Sequence, residues 1–230
     1  MNPLISELTT KSIQELDDIY GFVAYSNLSY KLYGDAVTNG LKITADLPHV
    51  NQTIDQNVLR DKLDHFGNKY LSELGFQLSI SVFEVWLFDL LRILLADPNR
   101  LNKKRKIDVA DIISAKNLED LLGTIIDAEL NEIRYKKPRE WFDYLWSFVA
   151  IGAPSANDIE KLSEIKASRD ILSHNKGIAN QIYLHKAGRL ARVKNGEPIK
   201  ISHDYWNDSW KHLRNMVETV GNLVANRLAA

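Results

Sequence analysis

Residues 71–95 constrain this chain more than any other stretch. From Leu71 to Leu95 the sequence is rich in Leu, Ile, Phe and Val, and its second half is apolar nearly all round. A helix of that character belongs in lipid or at the centre of a bundle. Glu73, Glu84, Asp89 and Arg92 interrupt the run, and charges at mid-span are costly in lipid. The sequence therefore predicts a buried core helix and no membrane. The helical pattern extends back to about Asp55 through an amphipathic half carrying Leu59, Leu63, Phe66, Tyr70 and Leu74. Asp97-Pro98 stops it.

The other elements read as helices arranged round this one. Ser12 to Leu32 has Ile13, Leu16, Ile19, Tyr20 and Val23 on one face, and residues 35–54 read as loop. Two helices are predicted over 108–114 and 117–135, followed by a short aromatic helix around Trp141, Phe142, Leu145 and Trp146. Asn157 or Asp158 is placed to cap a helix whose stripe runs Ile159, Leu162, Ile165, Leu172. Ser202 is placed to cap a last helix with Trp206, Trp210, Leu213, Val217, Val220 and Val224 in a heptad seam. Such a seam packs into its own bundle or into a dimer. The fold class is all-α, a helical bundle that admits a minor β-hairpin near residues 190–201 around Lys194-Asn195-Gly196-Glu197. Residues 1–54 read as a peripheral helix and loop, and 55–230 as the helical domain.

The formal net charge is −1, so no whole-molecule basic field announces a nucleic acid. Any such contact has to be local. Arg100 to Lys106 is a basic loop, and Lys103, Lys104 and Arg105 are its candidates for tracking phosphates; a solvated connection is the alternative. Lys136-Lys137-Pro138-Arg139 is a second basic step. The chain has no cysteine, which removes disulfides, thiolate nucleophiles and zinc–thiolate sites. Residues 1–14 have no apolar core of a secretory signal, which fits a cytoplasmic location.

Arg169-Asp170-Ile171-Leu172-Ser173-His174 carries the chemistry. Arginine holds phosphate through a planar fork that is always charged. Histidine moves protons near neutral pH. The spacing itself is duplicated by Arg60-Asp61-Lys62-Leu63-Asp64-His65. Five helical steps set two side chains about 140° apart, so in a continuing helix Arg60 and His65 do not converge. His174 differs, because Gly177 permits a left-handed turn and the helix can end there. Arg169 is also in register with an apolar stripe, where a charge is either paired or functional. On residue chemistry two readings stand: a phosphate site, or an Arg169 paired with a carboxylate such as Glu84 beside an ordinary helix-end histidine.

The wider string, Arg169-Asp170-x-x-x-His174-Asn175-x-Gly177-Ile178-x-Asn180-x-x-Tyr183, resembles the signature of HEPN domains. The resemblance spans about residues 55–228. It implies a helical bundle that dimerises, with two motifs facing each other, and a metal-independent endoribonuclease of the toxin–antitoxin, phage-defence or abortive-infection kind. No metal and no cofactor are implied. Arg169 would bind the scissile phosphate, His174 would transfer protons as the RNA 2′-hydroxyl attacks, and Asp170 would orient the pair. Asn175 and Lys176 would position RNA. An antitoxin or other protein partner is implied alongside the homodimer. The chain departs from the branch that continues His-x-Tyr, since Lys176 stands at that place. A non-catalytic module binding RNA, a nucleotide or a protein is the alternative.

Overall fold

The computed structural model describes residues 1–41, 45–47, 52–101 and 106–229. Its architecture is all-α. Helix α1 spans Pro3–Thr38, and a two-stranded antiparallel ribbon follows, β1 (Ala45–Leu47) against β2 (Gln52–Ile54). Next come α2 (Gln56–His65), a π-helical turn (Phe66–Leu71) and α3 (Ser72–Leu95). The chain continues through α4 (Val109–Ser114), α5 (Leu118–Arg134), α6 (Pro138–Phe148), α7 (Ala156–His174), α8 (Gln181–Ala187) and α9 (His203–Arg227).

The apolar run forms α3 at the centre of the bundle. Phe76, Ile80, Phe83, Trp86, Leu87, Leu90, Leu91, Leu94 and Leu95 are all fully buried. Among the described residues no helix is long and apolar enough to cross a membrane. The predicted single helix from 55 to 96 is instead two helices joined by the π turn. That turn lies where α1 passes close: a side chain on Gly67 would meet Asn27 Oδ1 at 2.9 Å and the Tyr30 ring at 3.2 Å.

Helix α1 belongs to the core rather than to its periphery. It begins nine residues before the predicted start, and Ile5, Leu16 and Val23 are fully buried in the same cluster as α3 and α9. Thr9 lies against Gly221 of α9, where a Cβ would collide with it. Arg214 Nε bonds Asp17 at 2.8 Å, and the Trp210 indole donates to the Leu16 carbonyl at 2.8 Å. Along α9, Trp206, Leu213, Val217, Val220 and Val224 are fully buried. The heptad seam is therefore filled within the bundle.

The expected hairpin near 190–201 is not one. The turn at 194–197 forms, with Glu197 N donating to Lys194 O. Its outgoing limb pairs with the segment after α7: Ala179 N donates to Glu197 O at 2.9 Å and Ile199 N to Gly177 O at 2.8 Å. Between them lies α8, which the sequence reading omitted. Buried Glu164 of α7 ties this layer down. It accepts from Ser168 Oγ, Arg192 Nε and Tyr205 Oη at 2.6, 3.1 and 2.6 Å.

Candidate functional site

Helix α7 carries the Arg–His string, and its start is well determined. Ser155 accepts from Asp158 N, and the Asp158 carboxylate accepts in return from Ser155 N. This reciprocal cap satisfies two amide donors; the cap is Ser155, and not Asn157 or Asp158 as the sequence suggested. At the other end α7 continues through His174. Asn175 N donates to Ile171 O, and Lys176 and Gly177 both turn left-handed, at φ +52° and +74°. The helix therefore ends after the histidine and does not unwind between Arg169 and His174.

Arg169, Asp170 and His174 nevertheless open onto one cleft of about 470 Å³. Glu84 of α3 contributes to it, the α5–α6 junction supplies Arg134, Lys136 and Lys137, and α8 supplies Lys186. Arg169 Nη2 donates to both Glu84 oxygens at 2.7 Å. Lys166, one turn earlier on α7, donates to Glu84 Oε1 at 2.7 Å. Asp170 holds Lys186 Nζ at 3.0 Å, with Arg169 Nε at 3.7 Å. Arg134, Lys136, Lys137, Lys166, Arg169 and Lys186 thus face two carboxylates. A chain of near-zero net charge concentrates positive charge in this recess, which is the electrostatic requirement for holding a polyanion. His174 is exposed, and among the described residues it makes no hydrogen bond or ion pair. Its ring is free to meet a ligand.

The remaining candidates lie elsewhere. Asn175 serves the backbone, its amide donating to Ile178 O across the turn. Lys176 lines a recess on another side of α7 with Lys69, Glu73 and Pro198. Lys103, Lys104 and Arg105 fall outside the described residues. Arg60 and His65 do not share a cleft. Arg60 lines a recess of about 820 Å³ between α1 and α2, while His65 packs against the rings of Phe66 and Tyr70.

Sequence reasoning missed Lys166 and Lys186. Lys166 had a signal, since it stands three residues before Arg169 and so shares its helix face. Lys186 had none before α8 was known. The basic step at Lys136 and Lys137 was visible, but its place opposite Arg169 was not. Among the described residues no three His, Asp or Glu side chains group as a metal site would need. No family model, no curated protein and no solved structure matches the chain.

Proposed function

We propose that the cleft binds RNA and cleaves it without a metal, with Arg169 and His174 as the reacting pair, as the likeness to HEPN ribonucleases implies. One observation carries the reading. Arg169 and an unengaged His174 open into the same cation-lined cleft, whereas Arg60 and His65, at identical spacing, share none.

In this reaction the RNA 2′-oxygen attacks the neighbouring phosphorus. The 2′-proton passes to an imidazole, the bond to the 5′-oxygen breaks, and that oxygen takes a proton from an imidazolium. A 2′,3′-cyclic phosphate is left. Arg169 stabilises the charge that builds on the phosphoryl oxygens. One chain supplies one such histidine. A homodimer that joins two clefts supplies two, one to accept and one to donate. A role in defence or as the toxin of a toxin–antitoxin pair belongs to the same proposal, with an antitoxin as a further partner.

The Glu84 contacts favour a second reading, a module that binds RNA without cutting it, because they already occupy one nitrogen of Arg169. Purified protein incubated with single-stranded RNA in EDTA separates the two. Cleavage ending in cyclic phosphate is expected. Arg169→Ala and His174→Ala should each reduce the rate by at least about 100-fold, with unchanged circular dichroism. His65→Ala should cut normally. RNA that binds and stays intact establishes the second reading.

A further inference from the structure

Tyr135 is the most exposed of the large apolar side chains among the described residues, at 92 %. It follows α5 directly, and its backbone amide donates to Ile133 O. Its hydroxyl has no hydrogen bond among the described residues. Tyr135 lines the same cleft as Arg169 and His174, in sequence between Arg134 and the two lysines Lys136 and Lys137. Other exposed apolar residues, such as Leu74 and Leu78, lie on continuous helix faces. Tyr135 instead projects from a helix end amid cations.

Arg134 does not cover the ring, because its guanidinium sits over Phe88 at 4.8 Å. Lys166 is likewise directed over Trp141, at 5.2 Å. Among the described residues no ring or cation packs on Tyr135. An uncovered aromatic face beside a track of cations has the composition of a single-strand nucleic-acid platform. The cations follow the phosphates and the ring stacks on an unpaired base. Lys186 and Ser163 also line the next recess, toward Arg139 and Arg189.

We propose that Tyr135 stacks on an unpaired base next to the phosphate held in the cleft. The inference rests on the RNA-binding reading of the cleft. It does not require that the RNA be cut. A base inside a duplex is stacked on both sides and has no face to offer.

The test compares two single-stranded oligomers with 2′-O-methyl sugars, which cannot form the cyclic phosphate. One carries bases, and the other is abasic with the same number of phosphates. The wild-type protein is expected to bind the base-bearing strand about 5- to 150-fold more tightly, the range of one stacked base. Tyr135→Ala should abolish that preference while leaving affinity for the abasic strand unchanged. Tyr135→Phe should retain it. A preference that survives Tyr135→Ala, or is lost equally in Tyr135→Phe, overturns the proposal. Equal binding of both strands by wild type overturns the stacking role alone. Binding of neither strand overturns the RNA reading with it.

Discussion

Arg169 commits one nitrogen of its fork to Glu84 and keeps a second beside Asp170. Nη2 takes both oxygens of Glu84, while Nε is buried without a hydrogen bond. Glu84 also holds Lys166, and all three side chains are only about a fifth exposed (18 to 23 %). Glu84 thus holds two mutually repelling cations side by side, with Asp170 3.9 and 3.7 Å from them. It also competes with any phosphate that approaches. Both effects end when the charge is removed. Glu84→Gln should lower stability by about 1–2 kcal/mol, less than a fully buried pair because water still reaches it. RNA should bind more tightly to this variant at low salt, with a steeper loss of affinity as salt is raised. Cleavage should slow, since Arg169 loses the contact that orients it. Urea melts, a salt series of binding curves and single-turnover rates check the three effects.

At the scale of elements, the end of α7 separates what the sequence showed from what it did not. Gly177 was read as the left-handed residue that closes the helix, and it is left-handed. Lys176 before it is too, and a lysine rarely adopts that conformation without cost. Lys176→Gly should therefore raise stability by roughly 0.5–1 kcal/mol, the relief being partly offset by a more flexible unfolded chain. RNA cleavage should not change, because Lys176 lines the recess away from Arg169. The denaturation midpoint and the cleavage rate check both. Helices α3, α5, α6, α7 and α9 were legible because each repeats its apolar stripe over several turns. Helix α8 has seven residues and no such repeat. Its one sequence signal was Asn180, which caps it by accepting from Tyr183 N at 2.9 Å. The backbone pairing of 177–179 with 196–199 and the π turn that contains Gly67 both involve contacts distant in sequence, which periodicity cannot encode.

Across the whole molecule, one apolar core joins α1, α3 and α9 and takes in Ile159, Leu162 and Ile165 of α7, and polar contacts add to the attachment of α7. Glu84 reaches it from α3, Tyr205 reaches Glu164 from α9, and His212 of α9 donates from Nε2 to the Asp158 carbonyl at 3.1 Å. The cleft needs α7 at this distance from the α5–α6 junction, and so depends on those contacts. Periodicity gave the apolar stripe of α7, and the register of Arg169 pointed to a partner such as Glu84, but neither indicated the Glu164 and His212 contacts. His212 makes the attachment pH-dependent. Its side chain is 10 % exposed, and burial pushes its pKa below the usual 6.5, helped by nearby Lys161 and opposed by the Asp158 carbonyl and carboxylate. The unfolded chain therefore takes up this proton at a higher pH than the folded one. Stability is full above about 6.5 and is lost as pH falls toward the depressed folded value. The melting temperature should drop between pH 7.5 and 5. His212→Gln keeps a neutral donor for the Asp158 carbonyl at every pH and should flatten part of that drop. The chain has six histidines, so the difference between the two profiles isolates this one. Parallel profiles for wild type and variant would mean that His212 does not couple α7 to pH.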